Sequence, residues 1–291
     1  MLIFHEIGKF DDFQRIFLQI AINISFSFFL YNPLTLLSDI ARMKLLIISD
    51  LHLGNGDTFG TFGWDQSRFI SVLEDIRTSY GIDRIVINGD LFELFKYRYE
   101  DILKAQRKLL NYLNAAGCVY IRGNHDVFCE EGVDFYRIEN SQGQTVHIEH
   151  GHNADLLNGS KFGCWIVRGF FRVLRVLSTV DCVRRAYHSI NESVDEVNTI
   201  PRKYDSYRYL KYALRLLKNY DAVILGHTHK IEVHKTYYLN RKKRYLNCGS
   251  CTLGRFQAVM FDTETFDYDT IKISAADDPA YLGLERFKRM A

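Results

Sequence analysis

The sequence predicts an α/β protein in which two mixed sheets carry packed helices, and two features indicate this fold class. In the first half, short apolar runs typical of buried strands alternate with apolar residues at helical spacing. Strands are predicted at residues 45–49, 85–88, 119–122, 146–149 and 223–225, and helices at residues 69–77 and 102–113. Near the end of the chain, three strand-like segments at residues 244–248, 256–262 and 268–273 indicate an antiparallel portion.

The chain length of 291 residues is enough for one large α/β domain or for one domain with an insertion. We expect the domain at residues 44–275, between an N-terminal extension (1–43) and a C-terminal tail (276–291). The 37 basic and 35 acidic side chains nearly balance, whereas a protein that binds a nucleic-acid backbone usually shows a large basic excess. We therefore expect no nucleic acid among its partners.

Six cysteines are spread along the chain without the spacing of a disulfide scaffold, which favours a reducing, cytoplasmic compartment. Cys248 and Cys251 form a Cys-x-x-Cys pair, which is typical of a redox site or of half of a zinc site. A structural zinc ion needs two further ligands, and the sequence has no second Cys-x-x-Cys. A turn flanked by two small buried thiols is the favoured interpretation.

Residues 16–37 contain no charged side chain, and the segment is long enough to cross a bilayer. Polar residues such as Gln19, Asn23 and Ser25 interrupt it, and acidic residues precede it where a secretory signal would be basic. Three explanations stay open: translation that begins at Met43, a membrane-associated amphipathic helix, and a true transmembrane span.

Polar loops follow five of the predicted strands, and six of the ten histidines lie in them. Their sequences are Asp50-Leu51-His52, Gly89-Asp90, Gly123-Asn124-His125-Asp126, His150-Gly151-His152 and Gly226-His227-Thr228-His229. In open α/β sheets, ligands bind at the carboxyl ends of strands. A set of carboxylate, amide and imidazole ligands without a thiolate suits Mn²⁺ best, and Fe²⁺ or Zn²⁺ are alternatives. Two such ions close together need a shared anionic ligand, and Asp90 is the best candidate.

Each motif residue also has a structural explanation when it is taken alone. Asp50 or Asp90 could cap a helix, and Asn124 could occupy a turn. These explanations would all have to hold at once to remove the site. His152 fits no required ligand position, so we expect it either to contact the ligand residues without binding a metal or to be exposed to solvent. The remaining histidines are expected to be structural or on the surface: His5, His147, His188 and His234.

Taken in order, D-x-H, G-D, G-N-H-D, H-G-H and G-H-T-H resemble the motifs of the calcineurin-like metallophosphoesterases, over residues 43–273. The resemblance implies a four-layer αββα sandwich and hydrolysis by a hydroxide that two divalent metal ions activate. It assigns Asp50, His52 and His229 to the first metal, Asn124, His150 and His227 to the second, and Asp90 to both. It also implies that His125 contacts the substrate phosphate and stabilises or protonates the leaving oxygen, and that Asp126 orients His125.

The segment G-D-L-F-E-L at residues 89–94 resembles the UDP-2,3-diacylglucosamine hydrolases, which are diphosphatases of this superfamily. The stretch at residues 245–250 also resembles that branch, and the Asp-Arg-Gly of the phosphoprotein phosphatases is missing after Asp90. Two positions depart from the best-known members, because His125 stands where they have Arg and His152 where they have Asp. The resemblance implies a phosphodiester or pyrophosphate substrate similar to this lipid precursor.

A helical cap is expected at residues 153–205, because 77 positions separate His150 from His227. Within it, Arg168, Arg172 and Arg175 form a cationic stripe on an otherwise apolar helix. Such a helix could lie at a membrane interface with its arginines on phosphates, or line a cap that holds acyl chains. The arginines are accordingly candidate substrate-binding residues.

Alternatives to the lipid interpretation stay open. The arginines could pair with Asp195 or Glu196, and Lys203, Tyr204, Tyr207 and Arg208 could contact a nucleotide or a headgroup. The protein could instead be a soluble nucleotide or cyclic-nucleotide phosphodiesterase or a phosphatase, whereas a non-catalytic scaffold should have lost metal ligands. The expected partner is thus a phosphorylated small molecule or a lipid-linked nucleotide, with peripheral contact at the cytoplasmic membrane.

Overall fold

The computed structural model describes residues 42–155, 158–177, 180–183, 185–187, 189 and 203–274. Most of the predicted extension, the tail, His5, His188, Asp195, Glu196 and the side chains of Lys203 and Tyr204 lie outside the described residues. The helices are α1 (Gln66–Tyr80), α2 (Tyr99–Ala105), α3 (Arg107–Ala115), α4 (Lys161–Leu177) and α5 (Lys203–Leu216), with a 3₁₀ turn at His152–Ala154. Among the described residues, no helix has both the length and the apolarity needed to cross a membrane.

The described strands form two sheets of five strands each. In chain order they are β1 (Lys44–Ile48), β2 (Arg84–Asn88), β3 (Val119–Ile121), β4 (Tyr136–Glu139), β5 (Thr145–Ile148), β6 (Ala222–Leu225), β7 (Ile231–Tyr238), β8 (Arg241–Cys248), β9 (Arg255–Asp262) and β10 (Tyr268–Ser274). The first sheet has the order β10-β9-β1-β2-β3, and the second has the order β4-β5-β6-β8-β7.

Both sheets are mixed, as the sequence predicts. In the first sheet β1, β2 and β3 are parallel, and β9 and β10 are antiparallel to their neighbours. In the second sheet β5, β6 and β8 are parallel, and the two outer strands are antiparallel. The parallel strands of each sheet therefore end at one common edge.

Three apolar layers hold the sandwich together. Leu45 and Ile47 face Ile148 and Ile224 between the two sheets, and their alternate neighbour Leu46 packs against the helical layer of α1 to α3. A third cluster joins α5 to the outer face of the second sheet. Strands that are covered on both faces read as continuous apolar runs, which explains why β1 and β6 are recognisable in the sequence.

The structure contains two strands that the sequence did not predict, and one predicted helix is divided into two. The short β4 and the largely exposed β7 were not predicted, because neither has a continuous apolar run. The predicted helix at residues 102–113 is divided at Gln106, whose buried side chain donates to the carbonyl of Gly54. A side chain that bonds a neighbouring loop is invisible in a periodicity pattern.

Candidate metal centre

The loops that follow β1, β2, β3, β5 and β6 meet at one edge of the sandwich and carry the motif residues. Five of these residues adopt a left-handed backbone conformation that residues with a side chain seldom occupy: Asp50 (φ 55°), His52 (φ 49°), Asp90 (φ 52°), His227 (φ 69°) and His229 (φ 56°). Such conformations cost free energy and cluster at functional sites. The local strain thus marks three of the five motif loops, those after β1, β2 and β6.

One group of ligand atoms comes from Asp50, His52 and His229. The Oδ1 atom of Asp50 lies 3.1 Å from Nε2 of His229 and 3.7 Å from Nε2 of His52. The other oxygen of Asp50 is already used, because Oδ2 accepts hydrogen bonds from Ser49 Oγ and from the His227 backbone N–H. The carboxylate therefore presents a single oxygen to the two imidazoles.

A second group comes from Asp90, His150 and His227. Oδ2 of Asp90 lies 3.2 Å from Nε2 of His150 and 3.9 Å from Nε2 of His52, so Asp90 touches a histidine of each group. The carbonyl of Asn88 lies 2.7 Å from Nδ1 of His150 and fixes the ring with Nε2 toward Asp90.

Two glycines allow this close approach. At Gly123 an added Cβ would collide with the carboxylate of Asp90, and at Gly89 it would collide with the ring of His150. Gly89 also has a φ of 89°, which favours glycine over any residue with a side chain. The glycines of the G-D and G-N-H-D motifs are thus needed for space as well as for turning the chain.

The buried charges of the site are strongly coupled. Burial raises the pKa of Asp50, but the nearby His229 and His150 outweigh it and hold the pKa well below its usual range. Burial would lower the pKa of His52, yet the neighbouring carboxylates of Asp50 and Glu93 raise it to about 10. Burial lowers the pKa of His227 to about 3, and the positive charge on His150 acts in the same direction. Burial thus favours the uncharged imidazole of His227, which is the form that binds a metal.

The donor set fits divalent metal ions. Asp50 Oδ1, Asn124 Oδ1 and His150 Nε2 are buried without a hydrogen-bond partner, whereas buried polar atoms in folded proteins are normally bonded. Asp50 Oδ1 lies 3.1 Å from Nε2 of His229, and His150 Nε2 lies 3.2 Å from Oδ2 of Asp90, as expected for ligands around a common centre. The groups contain oxygen and imidazole nitrogen and no sulfur, which suits hard or borderline cations.

The structure corrects the predicted partner of His125. Asp126 does not orient this ring, because its carboxylate accepts backbone N–H bonds from Gly123 (2.6 Å) and Leu91 (2.8 Å). Instead, Oε1 of Glu93 lies 2.7 Å from Nδ1 of His125. An aspartate in a loop often accepts hydrogen bonds from nearby backbone N–H groups. Because the Asp126 carboxylate does so here, it is not available to bond the ring of His125.

Glu93 was missed as a site residue, although it lies in the quoted G-D-L-F-E-L segment. Burial raises its pKa, but His125 and Lys96 outweigh it and hold the pKa well below the usual range. Its Oε2 atom lies 3.0 Å from Nζ of Lys96 and 3.5 Å from Nδ1 of His52. One buried carboxylate therefore contacts His125, a ring of the first ligand group and a buried lysine. Its position three residues after Asp90 was the available signal.

His152 and the cysteine pair lie outside the ligand groups of the described residues. The ring centroid of His152 is 5.6 Å from that of His150. Burial lowers the pKa of His152 to about 4, and the charge of His150 acts in the same direction. Cys248 and Cys251 are free and fully buried, and burial raises both of their pKa values. Protonated, enclosed thiols agree with the turn interpretation.

The three arginines of α4 differ in their surroundings. Arg175 donates to the carbonyl of Lys96 (3.1 Å) and to Asp57 (3.3 Å). Its guanidinium is therefore already bound by the protein itself, and contact with a substrate stays a prediction for this residue. Arg168 lies over the ring of Phe128, and Arg172 is exposed. For these two arginines, contact with a substrate stays a prediction.

The candidate nucleotide contacts on α5 are only partly described. Tyr207 is 66% exposed, so its ring is available at the surface. Arg208 forms an ion pair with Asp155 at 3.6 Å. A nucleotide or headgroup contact by either residue stays a prediction.

A cavity of about 340 Å³ opens over the ligand groups. One side is polar and is formed by the motif residues. The other side is apolar and includes Phe95 together with Val167 and Phe171 of α4. The ring of Phe171 stacks on that of Phe95, with ring centroids 6.3 Å apart, and this contact packs α4 against the loop after β2.

The family of the protein follows from its sequence and this site. The family described as calcineurin-like phosphoesterase matches residues 43–231, well over half of the chain. The chain therefore belongs to the calcineurin-like phosphoesterases and is a metal-dependent hydrolase of phosphoric esters. No curated protein shows a significant match.

Several solved structures are similar to this chain at low sequence identity and low TM-score. A phosphoesterase, Yfce, from E. coli is 14% identical, with 80% of this chain and 100% of that chain covered and a TM-score of 0.39. A dimetal phosphatase from Danio rerio is 11% identical, with 78% and 98% covered and a TM-score of 0.41. Vps29 complexed with Zn²⁺ from Entamoeba histolytica is 15% identical, with 80% and 99% covered and a TM-score of 0.38.

Proposed function

We propose that the protein hydrolyses a phosphodiester or pyrophosphate bond at a centre of two divalent metal ions. Asp50, His52 and His229 would hold the first ion, and Asn124, His150 and His227 would hold the second. Asp90 would be the ligand that the two ions share. The observation that carries this proposal is that His52 and Asp90 also form a third group with His125, which links the two ligand groups described above. Several of the ligand atoms are buried without a hydrogen bond. When bound, such ions polarise a phosphoryl oxygen and lower the pKa of water toward neutrality.

His125 is the proposed acid at the leaving oxygen. Its Nδ1 faces Glu93, so that the carboxylate orients the ring and leaves Nε2 for the substrate. Its backbone N–H donates to Oδ1 of Asp90 at 2.8 Å, which keeps the ring beside the ligands. Asp126 contributes by shaping the loop: its carboxylate ties together the backbone of the G-N-H-D and G-D-L-F segments.

A lipid-linked nucleotide similar to UDP-2,3-diacylglucosamine is the proposed substrate. The apolar wall from Phe95, Val167 and Phe171 faces the polar ligand side across one cavity, which suits a molecule with a phosphoryl group next to an apolar part. Because such a substrate resides in a bilayer, the proposal includes peripheral contact between the protein and the cytoplasmic membrane.

A soluble nucleotide is the second candidate substrate. The cavity of about 340 Å³ is at the small end for ligand sites, so it suits a nucleotide or a headgroup better than complete acyl chains. A panel of a lipid-linked nucleotide, cyclic nucleotides and a simple diester separates the two candidates. Release of UMP from UDP-2,3-diacylglucosamine is expected, and turnover of the other compounds alone would remove the lipid proposal.

The Asp90→Asn variant tests the metal centre. It keeps the size of the side chain but removes the charge that the two ions share, so Mn²⁺-dependent turnover of bis-p-nitrophenyl phosphate should be lost. The matched control is Asp75→Asn, at an exposed aspartate on α1. Turnover of Asp90→Asn equal to that of the control would exclude Asp90 as the shared ligand.

A further inference from the structure

The outward side of α4 is an exposed apolar surface. Six large apolar residues recur along it at helical spacing and are between 50% and 72% exposed: Phe162, Trp165, Ile166, Phe170, Val173 and Val176. We call this the α4 outer face. Contiguous exposed apolar patches of this kind mark interaction sites in soluble proteins.

The opposite side of α4 is already used by the protein. Cys164 is fully buried, Val167 lines the cavity, and Phe171 stacks on Phe95. Arg175 binds the helix to Asp57 and to the backbone of Lys96. The helix is therefore anchored on the domain through one side, and its outer face is turned away from the domain.

A basic flank separates the two sides of the helix. Lys161, Arg168 and Arg172 follow one another at spacings of seven and four residues, which places them on one side of the helix. Lys161 and Arg172 are exposed, and burial lowers the pKa of Arg168 without a carboxylate among the causes. Long basic side chains beside an apolar face reach the phosphates of anionic lipids.

We propose that the α4 outer face docks on an anionic lipid surface. Its apolar residues enter the headgroup boundary, Trp165 lies in the interface, and the basic flank contacts lipid phosphates. Since Val167 and Phe171 on the same helix line the cavity, a lipid-borne substrate reaches the ligand groups along α4 without leaving the surface. This route rests on the proposed function, whereas the docking itself does not.

Vesicle binding by the full chain tests the docking. We compare sedimentation with vesicles of phosphatidylcholine alone and of phosphatidylcholine mixed with an equal amount of phosphatidylglycerol. Binding to the mixed vesicles is expected, and the Trp165→Glu/Phe170→Glu variant should weaken it by about a hundredfold, because two large apolar side chains are lost. Equal binding by the variant and the native chain, or no binding by the native chain, would overturn the proposal.

A second exposed apolar patch supplies the matched control. Tyr237 and Leu239, at the tip of the β7–β8 hairpin, are 72% and 80% exposed. The Tyr237→Glu/Leu239→Glu variant should bind vesicles as the native chain does. Turnover of bis-p-nitrophenyl phosphate should be unchanged in both variants, which shows that they fold. If no form of the chain hydrolyses this compound, the proposed function fails while the docking result stands.

Trp165 gives an independent signal, because the chain has two tryptophans and Trp64 is 8% exposed against 64% for Trp165. In a Trp64→Phe variant, the emission of Trp165 should be that of an exposed indole and should shift to the blue with the mixed vesicles. Emission that is already blue without vesicles would mean that the α4 outer face is covered by residues 1–41 or by a second copy of the chain. That result, or an emission that vesicles leave unchanged, would overturn the proposal.

Discussion

At the scale of single residues, the site shows which side-chain contacts can be predicted from the sequence and which cannot. Six of the seven predicted ligands come close together because they lie in loops just past strand ends, and parallel strands end at one edge. The seventh, Asn124, lines the same cavity, and the binding of metal ions by this set stays a prediction. The partner of His125 was predicted wrongly, because the direction of a side chain within a loop depends on its neighbours in space. Asp126 is adjacent in sequence but bonds the backbone, whereas Glu93 is distant in sequence and contacts the ring.

The Glu93→Gln variant should lower kcat for a small phosphodiester by about 10- to 100-fold, the usual effect of losing a carboxylate that orients a histidine. The amide keeps the size of the side chain but cannot hold His125, His52 and Lys96 through a negative charge. Steady-state kinetics measures the effect. Glu130→Gln, at an exposed glutamate five residues after His125, is the control. Equal kcat values for the two variants would contradict the orienting role.

At the scale of helices and strands, burial decides what the sequence can predict. The strands β1 and β6 are nearly continuous apolar runs because both of their faces are covered. The edge strand β7 carries mostly exposed residues, so its pairing with β8 is a tertiary property without a local pattern. The cationic stripe on α4 was predicted, but the anchoring of Arg175 on Asp57 joins residues far apart in the chain.

The Arg175→Ala variant should loosen α4 from the domain, because it removes the hydrogen bonds to Lys96 and Asp57. Hydrogen exchange over Lys161–Leu177 should become faster, and limited proteolysis near this helix should increase. Arg172→Ala, at an exposed arginine on the same helix, is the control and should leave exchange unchanged. If the two variants exchange alike, Arg175 does not anchor the helix.

The Lys243→Met variant should destabilise the second sheet by about 3–5 kcal/mol at neutral pH, because it leaves a buried carboxylate unpaired. Nζ of Lys243 lies 2.9 Å from Oδ1 of Asp221, and both residues are buried. Oδ2 of Asp221 also accepts from the backbone N–H of Thr145, so the pair joins β5, β6 and β8. Urea unfolding measures the loss, with Lys242→Met at an exposed position as the control.

The pH dependence of this pair has a definite sign. Burial raises the pKa of Asp221, but the bonds from Lys243 and Thr145 outweigh it and leave the pKa below its usual value. The folded form therefore binds this proton less tightly than the unfolded chain. The stabilisation is present above the unfolded pKa and is lost as the pH falls through the folded pKa. In the Lys243→Met variant, the free energy of unfolding should fall less steeply as the pH is lowered than in the native chain. If stability falls with pH in parallel in the two proteins, the pair does not cause the acid loss.

At the scale of the whole molecule, the architecture and the chemistry follow from the sequence more readily than the substrate does. Continuous strands, short loops and strand-end ligands are local features, so they predict a mixed-sheet sandwich with a hydrolytic edge. Substrate choice depends on α4 and its surroundings. There, contacts such as the stacking of Tyr187 on Phe59 join segments that no local pattern connects.

The most direct test of the two-metal centre is the electron paramagnetic resonance spectrum of the chain loaded with Mn²⁺. Two ions that share Asp90 lie within a few ångströms of each other, about 3.5–4 Å in two-metal sites, so their spins should couple. The expected result is the multiline spectrum of a coupled pair, with two ions per chain and loss of the coupling in Asp90→Asn. The spectrum of isolated Mn²⁺, with one ion per chain in the active protein, would contradict the two-metal site.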